Sequence, residues 1–123
     1  MSANPAPGFA KRPDHRIALK PAAARVRVMF KGKLVADSAG AVFMEEGSYP
    51  AVYYFPRRDV RMELLERTEH HTYCPFKGQA SYYSLKGGPE NAVWSYEQPY
   101  DEVMAIRELV AFYPEKVDSI AVG

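Results

Sequence analysis

The stretch Arg25–Ser38 reads Arg-Val-Arg-Val-Met-Phe-Lys-Gly-Lys-Leu-Val-Ala-Asp-Ser, and its period of two decides the fold class. Val26, Val28 and Phe30 fall on one side of an extended chain while Arg25 and Arg27 fall on the other, the mark of a strand with one wet face. Lys31-Gly32 then supplies a tight turn, because glycine takes up the positive φ a hairpin needs. Leu34 and Ala36 continue the alternation on the return strand. The stretch predicts a β-hairpin.

Outward from this hairpin the chain keeps the same character. Arg16–Lys20 predicts a short strand ended by Pro21, and Ala41–Met44 and Ala51–Phe55 predict two more around a turn at Glu45–Ser48. Val60–Thr68 fits a helical turn or a strand equally well. Gly78–Leu85 and Asn91–Tyr96 predict a second hairpin through Lys86-Gly87-Gly88-Pro89. Tyr100–Leu109 is the one segment with helical spacing, at Val103, Ile106 and Val110, and Asp101 and Glu102 suit its first turn. Val110–Tyr113 and Val117–Val122 close the chain as β-like pieces. Met1–His15, with Pro5, Pro7, Pro13 and Gly8, is expected as a flexible tail. The expectation is a mainly β (α+β), antiparallel single domain over residues 16–123 with one C-terminal helix. Val26, Val28, Leu34, Tyr82, Trp94 and Ile106 should form one contiguous core.

Composition bounds the function. A chain of 123 residues has room for one modest core. Sixteen basic side chains against fifteen acidic ones leave a net charge of +1, which offers no broad surface for nucleic acid. One cysteine cannot form an internal disulfide and fits a reducing compartment. The first twenty residues lack the apolar run of a signal peptide, and no membrane-spanning run occurs. A cytoplasmic protein is expected.

Thr72–Ser84, Thr-Tyr-Cys-Pro-Phe-Lys-Gly-Gln-Ala-Ser-Tyr-Tyr-Ser, concentrates the reactive groups. Cys74 with Lys77 three residues on reads as a nucleophile activated by a cation, or else as a small buried hydrophobe. His70, His71 and Cys74 do not make a zinc site, which wants four ligands from paired clusters; no metal and no cofactor are expected. Along the strand, Lys77, Gln79, Ser81 and Tyr83 share one face, and Ala80, Tyr82 and Ser84 the other. Polar faces converging with Tyr54, Asp59 and Lys77 would line a concave site; the alternative is an aromatic core with hydroxyls at its edge. Arg57, Arg58, Asp59 and Arg61 form a charged corner, suited either to holding a carboxylate or phosphate or to surface salt bridging. Gly87-Gly88 precedes a strand and is turn chemistry rather than a phosphate cradle. The leading expectation is a domain binding a small polar ligand without metal. Cys74 and Lys77 are its catalytic candidates, and Tyr54, Asp59 and Tyr83 its ligand-binding candidates. The second reading is a protein-interaction module that receives a partner on its aromatic face.

The chain resembles the small bacterial family known as domain of unknown function 427, also labelled a nucleotidyltransferase domain. The resemblance rests on Arg25–Ser38, Tyr53-Tyr54-Phe55-Pro56 with Asp59-Val60, Thr72–Ser84, Ala92–Tyr96 with Pro99, and Val110–Tyr113. It runs from about Arg16 to Val122, and Cys-Pro-x-Lys-Gly is its most specific motif. It implies a compact β-tent or barrel-like fold, of the kind seen in methionine sulfoxide reductase B and a small zinc-bound exchange-factor relative. The transferase label requires metal-binding carboxylates soon after a Gly-Ser pair. Here Gly47-Ser48 is followed by Tyr49-Pro50-Ala51-Val52, with no acid.

Overall fold

The computed structural model describes residues 3–123 and is mainly β. Ten strands lie among the described residues: β1 (Ile17–Pro21), β2 (Val26–Phe30), β3 (Lys33–Ser38), β4 (Val42–Glu46), β5 (Val52–Tyr54), β6 (Leu65–Cys74), β7 (Gly78–Leu85), β8 (Val93–Ser95), β9 (Val110–Phe112) and β10 (Ser119–Val122). They form three antiparallel sheets, ordered β1-β4-β5, β10-β2-β3 and β6-β7-β8-β9, and no barrel closes. Pro21 is tolerated because β1 is the edge of its sheet, where a missing N–H breaks no ladder. Among the described residues no helix is long and apolar enough to cross a membrane.

The deciding hairpin forms as its residues dictate. Lys31 and Gly32 have φ of +49° and +73°, so both central turn residues are left-handed, the two-residue turn whose twist matches that of the strands. Val28 pairs with Ala36 but Met29 pairs with Leu34, leaving Val35 as a bulge. The bulge turns Val35 into the core (1% exposed) in the place expected of Leu34.

Two apolar clusters replace the one expected core. The first gathers Val26, Val28, Val35, Phe55, Leu85, Val93, Val110 and Phe112. The second gathers Met44, Tyr54, Tyr82, Tyr96, Val103 and Ile106, with Trp94 packed against it. The physical reason is the pleat of the four-stranded sheet: alternate residues of β7 and β8 point to opposite faces, so Tyr82 and Trp94 cannot join Val26 and Val28. Phe55 connects the sheets, since its N–H donates to the Val110 carbonyl at 2.7 Å and its carbonyl accepts from the Val110 N–H at 2.9 Å.

The expected late helix is present only as 3-10 turns over Asp101–Ile106, interrupted at Val103. Val103 and Ile106 are still buried, so the apolar spacing served packing rather than an α-helix. Of the segment expected as a tail, residues 3–15 contact the domain, and Met1 and Ser2 lie outside the described residues. Gly8–Lys11 is a single α-turn whose Gly8 N–H donates to the Pro75 carbonyl at 2.9 Å. The Asn4 and Ala6 N–H groups donate to Asp101 and Glu102 at 2.7 and 2.8 Å. His15 stacks on Phe76 with centroids 3.9 Å apart, and Phe9 meets the same ring edge-on. A β-carbon on Gly8 would sit 2.8 Å from the Phe76 ring, so this close approach requires glycine.

Candidate functional site

β6, the longest strand, carries a charged, exposed sequence, and its geometry builds the site. Arg67 pairs opposite Tyr83, and His71 opposite Ser81, so Thr68, Glu69 and His70 stand against Tyr82 alone. Two extra residues preserve the parity of the strand, which keeps Arg67, His71 and Tyr73 on the same face as Tyr83, Ser81 and Gln79. Thr68 supports the bulge, its hydroxyl donating to Asn91 Oδ1 at 2.6 Å and accepting from the His70 N–H at 3.2 Å.

That face changes character along its length. At one end Leu65, Tyr83, Leu85, Val93 and Phe112 belong to the first cluster. At the other, Ser81 and Ser95 pair across β7 and β8, and Glu97 follows immediately. Tyr83 marks the boundary, with its ring in the core and its hydroxyl in a polar network.

The network is built around Glu97. Arg67 grips its carboxylate with two donors, Nη1 to Oε2 at 2.9 Å and Nη2 to Oε1 at 2.7 Å. The Ser81 hydroxyl donates to Oε1 at 2.9 Å and Arg57 Nη2 to Oε2 at 3.3 Å, which completes four bonds on two oxygens. Both arginines also donate to the Tyr83 hydroxyl at 3.1 Å. Arg57 further reaches Ser95 at 3.1 Å and the Glu108 carbonyl at 2.6 Å, anchoring a loop in which Glu108 takes φ +61°. The hydrogen bonds from Arg67 hold the Glu97 carboxyl down at about 2, and the same contact raises the Arg67 guanidinium above its ordinary value.

An open cavity of about 380 Å³ lies beside this network. His71, Tyr73 and Gln79 line it from the hairpin, and Ser81 and Glu97 form its base. Gln98 and Tyr100 supply the opposite wall, on a loop that returns over the hairpin as the Tyr100 N–H donates to the Lys77 carbonyl at 3.1 Å. Gly78 makes the approach feasible: its φ is +113°, and a β-carbon there would lie 3.4 Å from the Gln98 carbonyl oxygen. The Tyr73 and Tyr100 hydroxyls are hydrogen-bonded at 2.7 Å across the rim.

The structure distributes the sequence-predicted residues among three places. Tyr83 alone belongs to the network beside the cavity. Tyr54 is 1% exposed in the second cluster and accepts from Trp94 Nε1 at 3.3 Å; burial pushes its phenol up, with Glu46 and Cys74 nearby adding to the effect. Cys74 is half-buried against the same cluster. Lys77 ion-pairs with Glu46, both nearly buried, and His15 Nε2 lies 2.9 Å from the other oxygen of that carboxylate. Asp59 accepts from the buried Ser38 hydroxyl at 2.6 Å and holds β3 to the turn that follows β5. Among the described residues no group of three His, Cys, Asp or Glu side chains is arranged to hold a metal ion. A hollow of about 520 Å³ beside His15 and Tyr49 is larger, but the Arg12–Asp14 pair on its wall is 68% and 78% exposed at 3.6 Å. Such a pair gives little rigidity.

Of the residues that build the cavity, Arg67, Glu97, Gln98 and Tyr100 belong to no motif, and Tyr73 lies within Thr72–Ser84 without being singled out there. Arg57 was marked, as part of the charged corner after Pro56. Glu97 also yields an acid-stability prediction. Its folded value near 2 lies below the ordinary 4.5, so its contribution is complete above 4.5 and is lost as pH falls toward 2. Urea unfolding of wild type and Glu97→Gln should therefore differ by about 1–2 kcal/mol near neutrality and converge in acid. A gap that is constant with pH would contradict the network.

The family described as domain of unknown function (DUF427) has a model that matches residues 18–123. No curated protein matches the chain.

Proposed function

Since the chain belongs to the DUF427 family, whose description leaves its activity open, we propose from the geometry that it binds a small polar molecule. The ligand lies in the cavity between the β6–β7 hairpin and the Glu97–Tyr100 loop. One observation carries this reading: the base of the cavity, Ser81 and Glu97, belongs to a satisfied network with Arg57, Arg67, Ser95 and Tyr83, fixed before any ligand arrives. A rigid polar base under an open cavity is what orientation-specific binding of a small molecule needs.

Lys77, Cys74 and Tyr54 act in this reading as support. The Lys77–Glu46 pair holds the turn whose carbonyl receives the Tyr100 N–H, and so sets the width of the cavity. An interaction module would present a broad apolar face. The large apolar side chains most exposed here, Tyr49, Tyr73, Met104 and Val122, come from four different segments.

A thermal-shift screen with a metabolite library tests the reading, because a ligand bound to the folded state raises the apparent melting temperature. Hits should be polar, and Ser81→Val should abolish their shift. Hits unaffected by Ser81→Val would place binding elsewhere and end the proposal.

A further inference from the structure

The charges of the cavity are already committed, and this narrows the ligand. Glu97 is the one acid among the lining residues, and its four bonds to Arg67, Arg57 and Ser81 leave it no oxygen to offer a cationic ligand. Neither guanidinium lines the cavity, so the charged side chain an entering anion meets there is Glu97. No Asp, Glu, Lys or Arg side chain that lines the cavity is left unpaired, so a charged ligand meets no free carboxylate, ammonium or guanidinium there.

What remains free is a set of uncommitted polar side chains. His71, Gln79 and Gln98 are exposed, line the cavity, and make no side-chain hydrogen bond among the described residues. Together they offer two amide carbonyls, two amide NH₂ groups and an imidazole, an equal mixture of donors and acceptors. Tyr73 and Tyr100 meet edge to face, with an interplanar angle of 87°, and Tyr73 is 61% exposed, so an aromatic face stands at the rim. A hydroxyl group donates and accepts at once, and two on adjacent carbons match an amide's paired C=O and N–H. The apolar C–H face of a sugar ring suits an exposed tyrosine ring.

Resting on the binding role proposed above, we infer that the ligand is a neutral sugar, held by Gln79, Gln98 and His71 with one ring face against Tyr73. The volume of about 380 Å³ takes one ring, with the open side leading on to a second. A charged substituent on the ring weakens binding because no carboxylate, ammonium or guanidinium of the cavity is free to compensate it.

The test is an NMR titration of the full chain with neutral mono- and disaccharides, a glucose phosphate, glucosamine, adenine and cytosine as probes. At least one neutral sugar should shift the amide resonances of Gln79, Ser81, Gln98 and Tyr100, and the charged sugars should bind at least severalfold more weakly. Gln79→Ala and Gln98→Ala should each weaken the sugar by about tenfold, the loss of one paired hydrogen-bonding group. Both side chains are exposed, so an unchanged melting temperature separates lost binding from lost folding. A charged sugar binding as tightly as the neutral one, or a base binding while no sugar does, overturns the sugar assignment and leaves the polar-ligand role standing. Sugar affinity unchanged in both glutamine variants overturns it equally. If no probe moves the cavity's resonances, the assignment and the role fall together.

Discussion

Phe55→Ala is expected to lower the unfolding free energy by about 3–5 kcal/mol, the range for deleting a buried aromatic ring. Phe55 is 0% exposed and meets Phe112 edge-on, with centroids 5.6 Å apart. Its backbone exchanges two hydrogen bonds with Val110, so the ring sits where β5 meets the four-stranded sheet. A cavity there cannot be closed by a shift of one strand, because both sheets would have to move together. The total stability of a domain this size is about 5–15 kcal/mol, so the variant should stand close to unfolding. Met104→Ala, at a side chain 44% exposed, should change stability by less than about 0.5 kcal/mol and serves as the control. Urea unfolding reads both, and a loss below about 1 kcal/mol for Phe55→Ala would show that the sheets are not joined at this ring.

Lys77→Met should cost about 2–4 kcal/mol near neutral pH, because it strands the Glu46 carboxylate in a site where both partners are nearly buried. Desolvation raises the Glu46 carboxyl, but hydrogen bonds from Lys77 and His15 outweigh it, and the net position is below the ordinary 4.5. A group lowered in the folded state contributes stability that is complete above its unfolded value and is lost as pH falls through the folded one. In Lys77→Met the compensation from Lys77 is gone and burial favours the protonated acid, so acid should now relieve the variant. The gap between wild type and variant should therefore begin to narrow above about pH 4.5, as the variant's acid takes up its proton, and keep narrowing below it as wild type loses its own contribution. A double-mutant cycle with Glu46→Gln should show coupling well above about 0.5 kcal/mol, and simple additivity would contradict the pair.

Much of the sheet structure could be read because its residues report on themselves. Val26 and Val28 alternate with arginines, and a Lys-Gly turn between alternating runs has few other uses. The strand β6 could not be read in this way. Its ten residues are exposed on both sides for most of their length, so no period of two is written in Leu-Glu-Arg-Thr-Glu-His-His-Thr-Tyr-Cys. Its place is fixed by the register of β7 and by the Thr68 bulge, neither of which has a local signal.

The site was legible in half. The polar face of β7, Gln79, Ser81 and Tyr83, follows from alternation alone, while the corner after Pro56 left ligand holding and salt bridging both open, and Arg57 is found in a salt bridge within the chain. That the carboxylate is Glu97, and that Arg67 grips it from across the sheet, is a matter of pairing between residues 30 apart in the chain. Lys77 and Cys74 drew attention by proximity in sequence. The ammonium instead found Glu46, 31 residues away, because β4 passes over the turn. Sequence spacing shows which groups are near along the chain, and sheet topology decides which of them meet.

The most direct test of the binding role is the location of a bound ligand. Taking the strongest hit of the metabolite screen, an amide shift map of the saturated complex should change at Gln79, Ser81, Gln98 and Tyr100 while Gly47, Ser48 and Tyr49 stay still. Shifts centred on Gly47–Tyr49, with the cavity beside Glu97 unmoved, would contradict the account.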